Sequence, residues 1–466
     1  MADTTSTTTR TTTPAGVDGL PAGQAGPRPE DISRCVHCGF CLNFCPTYVT
    51  LGLETESPRG RIHLIDALSG GRIQPRRAVL GHLDLCLQCR ACETACPSGV
   101  SFGRIMEGVR AQVVAAGWSP LSWRLRSIVL RWTLPHPRRL RLLAVLLRFY
   151  QRSGLQSLVR RTRLLWLLPF HLYHLEQLLP PVAGRFFAPA GAGANPDAGD
   201  GTRRVALLTG CVMPFFYPQT HEATVRVLER HGYRVVVPEE QVCCGALFVH
   251  GGDRQTARRL ARRNIDVFLA AGVEAVIINA AGCGSTLKEY GELLADDPEY
   301  AGKAAHFSSL VKDITEFLVE LPFEEGLGRL ERRVTYQDSC HLAHAQRITA
   351  APRRLLSAIP GLELVEMENA DRCCGSAGIY NVTHREMSSR LLADKMRAVA
   401  ATGASAVVTA NPGCMLQVEA GLRLHGLRGT VAHVVEVLDE AYAAGKTTPV
   451  AAEGAAPPPA AEGEPA

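Results

Sequence analysis

Two cysteine runs carry the most explicit chemistry in this chain. Cys35, Cys38, Cys41 and Cys45-Pro46 form the first, and Cys86, Cys89, Cys92 and Cys96-Pro97 the second; both read C-x2-C-x2-C-x3-C-P. Three closely spaced thiolates suit three corners of one [4Fe–4S] cube, while the fourth, beside proline, turns away to the other cube. The spacing therefore groups Cys35, Cys38 and Cys41 with Cys96 as one cluster, and Cys86, Cys89 and Cys92 with Cys45 as a second. Zinc also uses CxxC pairs, but four ligands satisfy it and the proline-tagged cysteine of both copies would be left over.

The other eight cysteines reveal a duplication. Cys211 precedes Cys243-Cys244-Gly245 and then Cys283; Cys340 precedes Cys373-Cys374-Gly375 and then Cys414. The intervals are 32 and 39 residues in one copy and 33 and 40 in the other. Free cysteine is often plain core packing, which does not explain a match at every position. Strands are expected over 205–208, 234–237 and 274–278, and again over 334–336, 362–365 and 406–409, with helices over 222–230 and 256–270 between them. Alternating strands and helices imply parallel sheets, and ligands of such sheets sit beyond the carboxyl ends of the strands. Each copy should gather its four cysteines in one crevice, with Gly245 and Gly375 supplying a backbone conformation that side chains disfavour. At least one copy is expected to hold a further iron–sulfur cluster; the alternative is reduced thiols with a structural role only.

The remaining elements must position these groups. Ser57 reads as an N-cap and Pro58 as the first residue of a helix whose apolar stripe is Ile62, Ile65 and Leu68, so a helix should separate the two runs. Arg59, Arg61 and Arg90 would place positive charge beside anionic clusters and raise their potentials, or else are solvated surface charges. Residues 108–175 contain twelve Arg, all four Trp (Trp118, Trp123, Trp132, Trp166) and no Asp, Glu or Lys. Their apolar patches, 140–150 and 164–168, are shorter than the about 20 residues a membrane span needs. They suit helices lying on an anionic membrane surface, with Trp at the headgroups, or else a connector packed on its own protein. A nucleic-acid surface would come with a recognisable fold, and none shows, so no nucleic-acid partner is expected. Asp338 is expected to cap a helix that carries His341 and His344 on its first turn.

The chain thus divides into a disordered tail (1–28), a helical ferredoxin-like domain with two [4Fe–4S] clusters (29–107), a basic helical connector (108–180), a linker (181–202), two tandem α/β parallel-sheet cysteine-rich domains (203–330 and 331–445) and a second disordered tail (446–466). With 46% hydrophobic residues and a net charge of +5, the composition is that of a core-forming protein. Sixteen cysteines without a secretory h-region point to a reducing compartment, so a cytoplasmic location is expected, peripheral to the inner face of the cell membrane.

The duplicated Cys…Cys-Cys-Gly…Cys pattern resembles the cysteine-rich domain of heterodisulfide reductases and lactate-utilisation proteins. With the two runs included, residues 33–442 resemble the iron–sulfur subunit of bacterial glycolate oxidase, through the motifs around Cys35, Ser57-Pro58, His82 to Glu93, Cys96-Pro97, Gly282-Cys283-Gly284 and Cys373-Cys374-Gly375. Heterodisulfide reductases carry a fifth cysteine in each repeat, where this chain has Thr286 and Gln417. The resemblance implies an electron conduit with no catalytic residue of its own. No dinucleotide or flavin fingerprint is present, so FAD belongs on partner glycolate oxidase subunits, with the quinone pool or another membrane acceptor beyond. The alternatives are the iron–sulfur subunit of a lactate dehydrogenase and a thiol–disulfide reductase subunit.

Overall fold

The computed structural model describes residues 26–162, 176–177, 179–188 and 203–447. Most of both expected tails, most of the linker, and the 164–168 patch with Trp166 lie outside them.

Each cysteine repeat is a four-stranded, wholly parallel sheet. In the first, β1 (Arg204–Leu208) lies between β2 (Arg234–Val236) and β3 (Ala275–Ile278), with β4 (Val311–Asp313) beside β3. The second repeats this order with β5 (Arg332–Tyr336), β6 (Leu362–Leu364), β7 (Ala406–Thr409) and β8 (Thr430–His433). The three strands expected in each copy are present; the fourth is added by segments of three and four residues, too short for a periodic signal. The chain leaves β1 for β2 on one side and returns to β3 on the other, so the strand order reverses between β1 and β3. A cleft opens there at the carboxyl ends, and the second sheet builds its equivalent between β5 and β7.

The two sheets share one core. Val205, Leu207 and Ile277 of the first and Val334, Tyr336 and Val408 of the second belong to a single buried cluster, bridged by side chains of the Pro218–Arg230 and Val434–Thr447 helices. A polar chain runs through it. Asn279 Nδ2 donates to His221 Nδ1 and Thr224 Oγ1, His221 Nε2 donates to the Thr209 carbonyl, and His433 Nε2 donates to the Asn279 carbonyl, each at 3.0 Å. Burial holds His221 at about 3 and His433 at about 4, so both stay neutral at physiological pH. A histidine depressed in the folded state contributes its stability above the unfolded value near 6.5 and loses it as pH falls toward the folded value. His433→Gln keeps the donated hydrogen bond and removes the titration. Between pH 7 and pH 5 the variant should lose about 2 kcal/mol less stability than the parent chain, read from denaturant midpoints; equal losses would mean that His433 is charged in the folded protein.

The first cysteine run leads into the Pro58–Ser69 helix, with Pro58 at its first position and Ser57 Oγ accepting from the Gly60 amide at 2.9 Å. Ile62, Ile65 and Leu68 bury their stripe against Leu80, Leu83 and the Phe102–Ala115 helix. The whole N-terminal unit docks on the repeats. Arg90 pairs with Glu289 and Arg104 with Glu292, Arg110 Nη1 donates to the His250 carbonyl at 2.9 Å, and Tyr380 Oη donates to the Leu85 carbonyl at 2.9 Å.

The described part of 108–175 packs in part on its own protein. Trp123 is only 5% exposed and packs into the N-terminal core, so it cannot sit at a headgroup, and half-buried Trp118 packs against the same core. Arg126 and Arg131 turn inward to Asp84 and Asp253. The outer face of the Leu121–Thr133 and Pro137–Arg152 helices nevertheless exposes Leu125, Ile128, Val129, Trp132, Leu142, Leu146 and Phe149. Among the described residues no helix is long and apolar enough to cross a membrane.

Candidate iron–sulfur centres and a shared cysteine chamber

Cys45 of the first run lies with Cys86, Cys89 and Cys92 of the second around one cavity, whose walls include Pro46, Arg61, Gln88 and Phe102. All four thiols are buried. Cys35, Cys41 and Cys96 are half-buried beside the same core, and Cys38 is exposed. The two loops share an unusual backbone. His37 and Gln88, each just before the second cysteine of its run, have φ of 54°, and the residues just after it, Gly39 and Arg90, have φ of 89° and 63°. Consecutive turn residues of this kind aim amides into a concavity that favours anions, as iron–sulfur sites require. The Gln88 amide donates to Cys86 Sγ at 3.4 Å. Burial pushes the Cys89 and Cys92 thiols well above the ordinary range, with Cys373 adding to the first and Cys89 to the second, and lifts Cys41 to about 11. Free thiols here would be protonated and inert; metal ligation converts such groups to thiolates. The donor set, its burial and the loop conformation fit iron–sulfur clusters.

Arg61, 1% exposed, is a fully buried cation on the wall of this site. Of the other arginines singled out by the sequence, Arg90 lines the same cavity while paired to Glu93 and Glu289, and Arg59 spans Glu54 and the His37 carbonyl.

In the repeats, all eight cysteines face a single chamber of about 740 Å3. The sequence predicts one crevice per sheet; packing of the two sheets about a common core turns their clefts toward each other and merges them. Cys244 and Cys283 sulfurs are 3.1 Å apart. Cys244 donates to Cys283, and sulfur contacts with Cys211 and Cys244 hold Cys243 well below the usual thiol range while Cys211 and Cys244 are raised. Cys340, Cys373, Cys374 and Cys414 form a corresponding chain of sulfur contacts. Among the described residues no three His, Cys, Asp or Glu side chains gather as a single metal ion would need; the sulfurs run in chains instead. Gly245 and Gly375 adopt φ of 85° and 86°, and a Cβ on Gly375 would lie 2.8 Å from the Ser388 carbonyl oxygen. Thr286 Oγ1 bonds the Gly282 carbonyl, and buried Gln417 is held between Ser388 and Asn381, so neither position offers a fifth thiol.

Asp338 does not cap a helix. It forms a bidentate pair with Arg353, and residues His341–Ala345 form one turn of π-helix. His341 bonds Ser285 Oγ and the Gln88 carbonyl, and His344 bonds Thr94 and the Asp371 carbonyl, so His341 ties the two repeats to each other and to the second cysteine run, and His344 ties the second repeat to that run. Cys89 shares a buried cluster with Cys373, Tyr380 and Met387, with Cys340 against it. The second run therefore abuts the chamber directly. Gln88 lines both cavities, a role that nothing in the sequence marks beyond its place between two ligand-spaced cysteines.

Separate segments of the chain match known families. Residues 31–100 match the family described as a 4Fe-4S dicluster domain, 124–179 the linker region of the glycolate oxidase iron-sulfur subunit, and 205–288 and 334–419 the cysteine-rich domain. The chain is 45% identical over 417 residues to the probable glycolate oxidase iron-sulfur subunit of Bacillus subtilis, covering 88% of this chain and 94% of that one. It is 35% identical over 414 residues to the glycolate oxidase iron-sulfur subunit of Escherichia coli, again covering 88% and 94%. Lactate utilization protein A of Shouchella clausii is 34% identical over 236 residues, half of this chain and 98% of that one.

Proposed function

Because the chain belongs to the family of glycolate oxidase iron–sulfur subunits, we propose that it is the electron conduit of a 2-hydroxy-acid-oxidising complex, taking electrons from an FAD-bearing partner and delivering them toward membrane quinone. The observation that carries this reading is the packing of thiol sites side by side: Cys35, Cys41 and Cys96 lie against the core that contains Cys86 and Cys92, and Cys89 shares a buried cluster with Cys373, with Cys340 against it. Cys35, Cys38, Cys41 and Cys96 would hold one [4Fe–4S] cluster and Cys45, Cys86, Cys89 and Cys92 the other. Such clusters supply one-electron storage and transfer when bound.

The chain's own residues do the rest. The left-handed loop residues orient amides toward the sulfur ligands, Arg61 offsets thiolate charge, and the apolar walls exclude water, which holds each potential in a fixed environment. Val36, Phe40, Phe44, Val49 and Leu53 are exposed around the first run, an apolar surface suited to the flavoprotein. Glycolate and lactate differ at a carbon that this chain does not handle, so the flavoprotein chooses the substrate. The test is to mix glycolate with the anaerobic complex: the clusters should bleach on a catalytic timescale, and clusters that stay oxidised while the flavin is reduced would refute the conduit.

The repeats would add a cluster through Cys211, Cys243, Cys244 and Cys283 or through Cys340, Cys373, Cys374 and Cys414. Iron in the full chain should then exceed about eight atoms, the content of two cubanes. The Cys243→Ser, Cys374→Ser double variant should return it to about eight; equal iron in both proteins would leave the repeat thiols structural.

Peripheral attachment at the inner face of the membrane would use the exposed stripe of the connector helices, with Arg138 and Arg141 beside it. The complex should cosediment with anionic vesicles, weakened but not abolished by salt because apolar contact is unscreened. Val129→Glu with Leu146→Glu should release it. Unchanged sedimentation of that variant would move attachment elsewhere.

A further inference from the structure

A second cavity, polar and separate from the cysteine chamber, lies where the N-terminal unit meets the first repeat. We infer that Glu107, on its wall, takes up a proton when the second cluster is reduced and releases it when that cluster is reoxidised, so that an electron held on the conduit is accompanied by a proton. The inference rests on Cys45, Cys86, Cys89 and Cys92 holding that cluster.

The cavity measures about 90 Å3, room for about three waters at about 30 Å3 each. Arg90, Arg104 and Glu107 line it from the N-terminal unit, and Arg254, Glu289 and Glu292 from the first repeat. Its arginines are already engaged: Arg90 with Glu93 and Glu289, Arg104 with Glu292 and Asp31, and Arg254 with the Leu293 carbonyl at 3.4 Å. Glu107 pairs with a histidine instead, His250 Nδ1 lying 2.9 Å from Glu107 Oε1. The Glu107 side chain is 22% exposed and forms part of the cavity wall, so solvent protons reach it.

Arg90 makes the connection to the cluster site. Its side chain borders this cavity and also the one ringed by Cys45, Cys86, Cys89 and Cys92. Glu93, next to Cys92, accepts from Arg90 at 3.0 Å and from the Gly103 amide at 2.6 Å, at the start of the helix that carries Glu107. On the far side the His250 ring meets the His341 ring edge-on at 5.2 Å, and His341 bonds the Gln88 carbonyl between two cysteines of the second run. Charge added among those cysteines therefore acts on Glu107 through a few fixed side chains, where little water screens it.

Glu107 is the group of this set poised to respond. Asp31, Glu93, Glu289 and Glu292 each face an arginine, and Arg110, on the same helix as Glu107, is bonded to the Leu83, Cys86 and His250 carbonyls. Burial lifts Glu107 to about 7 against Arg90 and Arg110, with Glu292 and Glu93 adding to the rise. Burial, assisted by Arg110, holds His250 at about 4, so the histidine stays neutral while its partner titrates. With one electron added from the flavoprotein partner, the Glu107 carboxylate gains one proton from solvent and forms an O–H bond. When that electron is passed on, the O–H bond breaks and the proton returns to solvent. A like charge at about 10 Å, across protein of effective dielectric about 20, raises a carboxyl by about one pH unit, a tenfold shift. Reduction favours the protonated form, so the potential is highest in acid and falls as pH rises through the two values of Glu107.

The test follows, in the anaerobic full chain, the EPR signal that Cys89→Ser removes, by redox titration at intervals from pH 5.5 to pH 9.5. In the parent its midpoint potential should fall by about 59 mV across that range, the equivalent of a tenfold shift for one electron. Glu107→Gln keeps an amide beside His250 but cannot titrate, so its potential should stay at the parent's acid value at every pH. Glu107→Asp should restore the fall. The reduced-minus-oxidised infrared spectrum of the parent should contain a carboxylic-acid C=O band that Glu107→Gln lacks. A parent potential independent of pH, a fall that survives Glu107→Gln, or a parent spectrum without that band would overturn the inference and leave the conduit intact. A Cys89→Ser chain that keeps every EPR signal would overturn the ligand assignment of the second cluster, and this site with it.

Discussion

Replacing Cys89 with serine should lower the iron of the anaerobically purified chain by about four atoms, one cubane's worth, and remove one of two interacting reduced-state EPR signals. Its effect should spread further than that of Cys38→Ser. Cys38 is exposed, so losing its cluster leaves the rest of the fold covered as before. Cys89 is buried among Leu87, Ala91, Cys373, Tyr380 and Leu391, where the N-terminal unit meets the second repeat. An empty, hydrated cluster site there should also weaken the contacts of His341 with the Gln88 carbonyl and of Tyr380 with the Leu85 carbonyl. Limited proteolysis should consequently cut Cys89→Ser, but not Cys38→Ser, between the N-terminal unit and the repeats. Full iron content in Cys89→Ser would refute its assignment as a ligand.

Arg61→Met should be the most destabilising single change in the N-terminal unit, by about 3–5 kcal/mol, because it removes four hydrogen bonds from a buried guanidinium and leaves the buried Glu56 carboxylate with His82 as its remaining side-chain partner. Arg61 Nη2 reaches Glu56 Oε2 at 2.5 Å, Nη1 donates to the Glu56 carbonyl at 2.7 Å and to Thr47 Oγ1 at 3.0 Å, and Nε donates to the His82 carbonyl at 2.8 Å. One guanidinium thereby joins the Pro46–Leu51 helix after Cys45, the helix between the runs and the Arg77–Asp84 helix before Cys86. Thr47 Oγ1 lies 3.2 Å from Cys45 Sγ, so the loss reaches a candidate ligand directly. The second cluster should also become harder to reduce once this positive charge is gone. Arg61→Met with Glu56→Gln should recover part of the stability but not the potential. That split, read by denaturant titration and by redox-poised EPR, separates the structural role of the charge from its electrostatic one; recovery of both would deny Arg61 any influence on the cluster.

Local spacing made much of this protein legible without a structure. C-x2-C-x2-C-x3-C-P is informative because ligands within a dozen residues must converge whatever the surrounding fold. Ser57-Pro58 set a helix start for the same reason, since capping involves only the adjacent turn. The duplicated cysteine intervals disclosed two equal α/β units, because each cysteine lies just past a strand or between strands of fixed order. What depended on contacts between distant segments was not legible. Asp338 has the local form of an N-cap, yet Arg353 captures it from a neighbouring helix. Trp118 and Trp123 look like interfacial anchors in an arginine-rich stretch, but the core beside them is their nearest apolar volume. The merging of two crevices into one chamber, and the placing of Gln88 between that chamber and the second run, follow from how two sheets and a docked domain bury a common apolar surface. No segment alone encodes that arrangement, because the hydrophobic burial that drives it is non-directional and is satisfied only by the assembled chain.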